Sequence, residues 1–244
     1  MSTHLNYLER PKLKKPKLIA GLPGIAYIGK LAVDYLIHEL RAQKFAELYS
    51  EHFPEWAIHK DGMIKMLKMD FYYCRPEELE DSLILATADA QAASPFGQYK
   101  LSGEILDFAM QYGVDTVITM AAYVLSPNES RSRIVGTATD AETAKLLNKH
   151  GIELLDGGTI VGMNGLLPAL AGIRGLKGFC LLGVTRGGIV DVAAAEAVLE
   201  GLSSMLGLKL DLTDIHKYAM VPPKFKPLKL ELPFRPEEEI SYIR

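Results

Sequence analysis

Short apolar runs alternate with amphipathic stretches over most of the chain, and the rhythm predicts strands and helices in turn. Lys17-Leu18-Ile19-Ala20 is a strand pattern. It passes through Gly21-Leu22-Pro23-Gly24 into a helical pattern with Ile28, Leu31, Ala32, Tyr35 and Leu36 on one face. Phe45 to Ser50 predicts a further strand, and residues 62–73, apolar and aromatic but broken by lysines, predict strands at a sheet edge. Ser82 to Ala88 is a short apolar run, as expected of a central parallel strand buried on both faces. A helix follows from about Tyr99 to Tyr112 with Leu101, Ile105, Phe108 and Ala109 on one face, ended by Gly113. Val114 to Ala121 is a second central strand, which implies a right-handed parallel crossover.

The second half repeats the theme. Arg133 to Thr139 predicts a strand, and Thr139 or Asp140 caps a helix from Ala141 to His150. Gly157 to Gly165 reads as another strand, turn and helix junction leading into Leu166 to Ala171. The strand Gly178 to Val184 ends at Thr185-Arg186-Gly187-Gly188, and Asp191 caps an alanine-rich helix over about residues 192–206. Glycine-rich turns near residues 21, 162 and 187 therefore mark strand ends in a sheet of about five or more mainly parallel strands, a doubly wound α/β design.

The ends differ from this core. Residues 1–16 close on Arg10-Pro11-Lys12-Leu13-Lys14-Lys15-Pro16 and read as a basic N-terminal arm, leaving residues 17–213 as the α/β domain. Residues 214–244 read as an extended C-terminal arm. From Val221 onward five prolines exclude a long helix, while Phe225, Leu228, Leu230, Leu232 and Phe234 suit an arm lying against a surface. Pro236 can open one short terminal helix, on which Ile240 and Ile243 share a face and Arg244 complements the dipole.

Composition narrows the function. The 244 residues are 48% hydrophobic with a formal net charge of −3, which gives no general attraction to nucleic acid or anionic membrane. Neither is expected as a partner. The two cysteines lack CxxC spacing, and no apolar run approaches the roughly 18 to 20 residues of a membrane span, so a reducing, cytoplasmic setting is expected. Walker, GxGxxG, GxSxG, HExxH and EF-hand patterns are missing, so no catalytic residue is assigned. His52 and His59 stand near Glu51 and Glu55, but Pro54 interrupts any helix that would align them, and no metal or other cofactor is expected. Ligands of open α/β sheets bind beyond the strands' carboxyl ends. On that ground Gly21, Gly24, Asp89, Gln91, Asn164 and Arg186 form a candidate ligand pocket.

Four stretches carry a resemblance to a known family: Gly21-Leu22-Pro23-Gly24 through Leu36, Asp89-Ala90-Gln91 through Tyr99, Gly162-Met163-Asn164-Gly165-Leu166-Leu167, and Leu181-Leu182-Gly183 through Ala194. In this order they resemble the PAC2 family of proteasome assembly chaperones, over roughly residues 17 to 213. The resemblance implies a three-layer α/β/α fold of phosphorylase/hydrolase-like outline with a mainly parallel sheet. It also implies self-association into a homo-oligomer, a non-enzymatic scaffold role and binding to proteasome α subunits. Chaperones of this family can use a C-terminal hydrophobic-Tyr-any tripeptide. Here the chain ends Ile240-Ser241-Tyr242-Ile243-Arg244, with the tyrosine third from the end and behind serine, so the match is broken. Ile240, Tyr242, Ile243 and Arg244 are the candidate partner-binding residues. The alternative the family suggests is an ATP-grasp-like carboxylate-amine ligase, or another nucleotide-binding enzyme using the strand-end glycine loops.

Overall fold

The computed structural model describes residues 3–220. In chain order the first elements are β1 (His4–Tyr7), β2 (Lys17–Gly21), a 3-10 turn (Ile25–Tyr27), α1 (Ile28–Glu39) and β3 (Gln43–Tyr49). Then come β4 (Ala57–Lys60), β5 (Met63–Met66), β6 (Met69–Cys74), β7 (Leu83–Ala88), α2 (Pro95–Gln111) and β8 (Thr116–Val124). The second half holds β9 (Ile134–Ala138), α3 (Ala141–Lys149), β10 (Glu153–Leu154), α4 (Met163–Ile173), β11 (Lys177–Thr185), α5 (Val192–Leu206) and α6 (Ile215–Met220).

The opening strand β2 lies in the middle of a nine-stranded sheet ordered β1-β3-β6-β7-β2-β8-β11-β9-β10. Its neighbours β7 and β8 run parallel to it, and β11 runs parallel to β8. On one flank β6, β3 and β1 add antiparallel, and on the other β9 is antiparallel to β11 with β10 parallel to β9. The sheet is thus parallel at its centre and mixed at its edges.

Alternation along each strand sends successive side chains to opposite faces. Leu18 and Ala20 join one core with residues of α2 and α4, while Ile19 joins another with residues of α1, α5 and α6. These are the three layers, α/β/α. Two glycines let the centre close up. A Cβ on Gly21 would lie 2.0 Å from the carbonyl oxygen of Gly29, and a Cβ on Gly29 would lie 2.0 Å from that of Met120. Strand β2, helix α1 and strand β8 therefore meet backbone to backbone.

The flank is built differently on its two faces. Toward α2, Phe45, Phe71 and Phe108 interlock, with Phe71 and Phe108 centroids 4.3 Å apart. On the other face Lys44 Nζ lies 2.8 Å from both Glu47 Oε1 and Asp70 Oδ1, and Lys68 also pairs with both carboxylates. Tyr49 donates to Glu47 Oε2 at 3.0 Å. Burial pushes the Glu47 carboxyl up, but the hydrogen bonds from Lys44, Lys68 and Tyr49 outweigh it and hold the group down at about 2.

Four expectations change. The N-terminal arm is in part a strand: β1 pairs with β3, Leu5 and Tyr7 pack on the core, and the Arg10 guanidinium covers the Tyr7 ring at 4.0 Å. Residues 62–73 divide, because β5 pairs only with β4 in a separate hairpin and the sheet begins again at Met69. Residues 155–162 follow the two-residue edge strand β10 and lead to α4, which packs on β8 and β11, so this junction is a long loop and not a central strand end. The stretch from 214 starts as helix α6, anchored by buried Ile215 and by Tyr218, whose ring meets Tyr35 edge-on at 5.4 Å. The remaining arm, with Ile240, Tyr242, Ile243 and Arg244, lies outside the described residues.

The caps at Asp140 and Asp191 follow the sequence, and Ser94 adds one where α2 starts at Pro95, four residues before the expected Tyr99. Ser94, Asp140 and Asp191 each accept a backbone N–H of the first turn that follows, satisfying donors that a helix start leaves open.

Candidate functional site

Beyond the carboxyl ends of β2, β7, β8 and β11, a few side chains bind the loops together. Asn164, in the first turn of α4, accepts from Leu22 N at 3.2 Å and donates to Leu22 O at 3.3 Å. It therefore exchanges with the β2 loop the same pair of bonds a neighbouring strand would. The Thr119 hydroxyl on β8 donates to Asn164 O at 2.6 Å. Gln91 does similar work, donating to Pro23 O and accepting from Met163 N, both at 2.7 Å. The two partners fix which way its amide points. Gly162 carries φ 90, and a Cβ there would lie 2.6 Å from Gln91 Oε1. Only glycine suits both its conformation and its neighbour. At the other side Asp191 N donates to Ala26 O at 2.9 Å, and the Asp191 carboxylate accepts from Thr185 Oγ1 at 2.7 Å.

The candidate pocket residues fall into this picture unevenly. Gly21, Gly24, Gln91 and Asn164 come together, but Gly21 is consumed by packing and the two amides by bonds to the loops themselves. Gly24 is exposed with φ −164, extended backbone, and a Cβ there would find ordinary space. Asp89 turns toward the β6 side, where its Oδ2 accepts from Lys68 N at 3.0 Å. Burial raises its carboxyl above the usual range, opposed by the Lys68 amide and the Lys30 charge. Arg186 is exposed at the end of β11, three strand spacings or roughly 14 Å from β7, and makes no ion pair among the described residues.

The chemistry on offer is quiet. Lys30 bridges Asp34 at 2.9 Å and the Thr87 hydroxyl at 2.8 Å. Burial, with Asp34 and Asp89 adding to it, lifts the Tyr27 phenol to about 12. Burial alone lifts Cys74 to about 12, so its thiol is neutral and a poor nucleophile near pH 7. Among the described residues no cluster of three or more His, Cys, Asp or Glu is arranged to hold a metal. His52 lies against Phe96 with centroids 5.8 Å apart, and His59 is exposed on the hairpin.

What stands out on this end of the molecule is apolar exposure that the sequence reading passed over. Ile25 is 57% exposed, Phe96 70%, Val161 84% and Ile189 74%, and the β4–β5 hairpin adds Met63, Ile64 and Met66. The loops that carry Ile25, Val161 and Ile189, and the segment that leads into α2 with Phe96, are joined by the Asn164, Gln91 and Asp191 bonds, so these four make one crown. Its signal in the sequence is an apolar residue directly after a glycine turn, as in Pro23-Gly24-Ile25 and Gly187-Gly188-Ile189, where solvent would favour a polar one.

Comparisons with known proteins agree with this architecture. The chain is 36% identical over 209 residues to an uncharacterized protein of Methanocaldococcus jannaschii, covering 85% of this chain and 80% of the relative. The crystal structure of Pyrococcus furiosus PbaB, an archaeal proteasome activator, matches with a TM-score of 0.82 and 36% identity, over 89% of this chain and 94% of that one. Pyrococcus furiosus PbaA, an archaeal homolog of proteasome-assembly chaperone, matches with a TM-score of 0.72 and 28% identity, over 88% and 92%. The sequence pattern of the PAC2 family matches residues 18–220, from the opening strand to the last turn of α6. On that match, and on a relative 36% identical over most of both chains, this protein belongs to the PAC2 family.

Proposed function

We propose that this chain is a proteasome-related chaperone or activator that works by protein contact, as a homo-oligomeric cytoplasmic scaffold. The observation that carries the reading is the crown. Where an α/β enzyme would keep a polar crevice, the strand-end loops here are bonded to one another and present Ile25, Phe96, Val161 and Ile189 outward. Exposed apolar patches on an ordered surface mark protein interaction sites. The likeness to PbaB, a proteasome activator, and to PbaA, a homolog of proteasome-assembly chaperone, supports a proteasome-related partner, and α subunits are the partner class of this proposal. The C-terminal residues Ile240, Tyr242, Ile243 and Arg244 are a second contact in this reading, and the two buried free cysteines suit a reducing compartment.

Purified α subunits, passed over the immobilised full chain, test the proposal. Retention is expected, weakened about tenfold or more by Ile25→Asp combined with Ile189→Asp, since apolar contacts at an interface centre dominate binding. Removal of residues 237–244 separates the contribution of the arm. The absence of any retention by the unaltered chain sinks the proteasome reading, and a monomer by light scattering sinks the oligomeric one.

A further inference from the structure

The end of the sheet opposite the crown carries an open, concave surface. A cleft of about 380 Å³ opens where the end of α1, the start of β3 and the end of β6 meet the segment leading into β2. Its volume lies within the range of small-molecule sites. Lys12, Arg41 and Arg75 all line it, and no carboxylate does. That concentration is local, since the chain as a whole carries −3.

Three details describe how these cations are held, with Glu9 beside Tyr73 as the neighbouring carboxylate. None of the three makes an ion pair among the described residues. Arg75 donates from its guanidinium to the Lys12 carbonyl, which ties the N-terminal segment to β6 and keeps both cations on the same cleft. Arg41 stands just past the C-cap of α1 at φ 48, a left-handed position that normally selects glycine. Its positive charge complements the helix end, yet a lysine or arginine within the last turn would do that without the backbone strain. Like charges gathered on one concave surface raise the local potential and favour an anion. Guanidinium groups suit the oxygens of phosphate in particular, because two N–H donors can be offered in parallel. The remaining wall is formed by Pro11, Leu40, Gln43, Cys74 and Tyr73, whose hydroxyl donates to Gln43 Oε1 at 3.2 Å and faces the Glu9 carboxylate outside the lining.

We propose that this cleft is a binding site for a compact phosphate-bearing anion of about two to four charges, a di- or triphosphate group held by Lys12, Arg41 and Arg75. The site is independent of partner docking at the crown and lies at the other end of the strands from the glycine loops. Two sources share this chemistry, inorganic polyphosphate and a nucleotide.

Isothermal titration of the full chain with tripolyphosphate, and separately with ATP, at constant ionic strength tests it. Saturable binding is expected for at least one probe, reduced about tenfold or more in the Arg41→Gln/Arg75→Gln variant. Both arginines are exposed, so that variant keeps its fold, which an unchanged melting temperature verifies. Lys149→Gln, an exposed charge removed at the end of α3 beside the far edge of the sheet, should leave the affinity unchanged. Tighter binding of ATP names a nucleotide as the source, and equal affinities name the phosphate chain alone. No saturable binding to either probe overturns the proposal. So does undiminished binding in the double variant, or an equal loss in Lys149→Gln.

Discussion

The centre and the β1-β3-β6 flank of one sheet are stabilised by different physics. At the centre β7, β2, β8 and β11 are parallel and covered by helices on both faces, and the limiting contact is backbone against backbone at Gly21 and Gly29. On the flank the strands are antiparallel, with an aromatic core on one face and a lattice of ion pairs on the other. The centre tolerates no added atom, whereas the flank depends on the volume and charge it already has. The two regions should therefore fail to different insults.

The sharpest break is at the centre. Gly29→Ala places a methyl 2.0 Å from the Met120 carbonyl oxygen, which cannot rotate away, so α1 must lift from the sheet. A loss of about 4 kcal/mol or more is expected, read as a fall in the denaturant midpoint or as insoluble protein. Gly24→Ala, with φ −164 and open space, should change stability by no more than about 0.5 kcal/mol. Equal effects from the two would refute the idea of a backbone-limited centre.

On the flank the corresponding test removes volume. Phe108→Ala deletes the ring that Phe45 and Phe71 pack upon, and about 3–5 kcal/mol should disappear from the unfolding free energy by chemical denaturation. A loss under about 1 kcal/mol would mean that the aromatic trio is not the flank's core.

The smallest effect belongs to the charged face. Glu47 is held at about 2 in the folded chain, below its ordinary 4.5, so the unfolded state takes up the proton first as acid is added. The stabilisation is complete above about pH 4.5 and disappears as pH falls toward about 2. Partial exposure of the network screens the pairs, leaving about 1–2 kcal/mol for this carboxylate. In urea titrations between these limits, Glu47→Gln should flatten the pH dependence. An unaltered slope would remove Glu47 from the account.

The same contrast explains what the sequence disclosed. Central elements were legible because they repeat short-range rules: the all-apolar run of β7, the caps at Asp140 and Asp191, and the strand, turn and helix of β2 and α1. The flank was harder. In the four-residue β1 the alternation of Leu5 and Tyr7 is too short to distinguish a strand from a loop, and its register with β3 makes it one. The β4–β5 hairpin and β6 lie close in sequence and share a composition, so nothing local tells that only β6 joins the sheet. At the candidate site the residues were visible but their employment was not. Asn164 meets Leu22 across 142 positions and Gln91 meets Met163 across 72, and no local pattern announces such pairings. That Gly21 and Gly29 serve close packing is likewise a matter of contacts with Gly29 and Met120 that no local pattern shows. The crown escaped notice because Ile25, Phe96, Val161 and Ile189 are far apart in the chain and become a surface only when the strand ends are brought side by side.

The exchange of two hydrogen bonds between Asn164 and Leu22 has one further consequence. Loops usually lose conformational freedom when they are captured by a partner, and that loss is subtracted from affinity. Here the freedom was already surrendered on folding, since Asn164, Gln91 and Asp191 fix the loops before anything arrives. A protein seated on the crown would meet a rigid template, and its affinity would depend on its own flexibility more than on that of this chain.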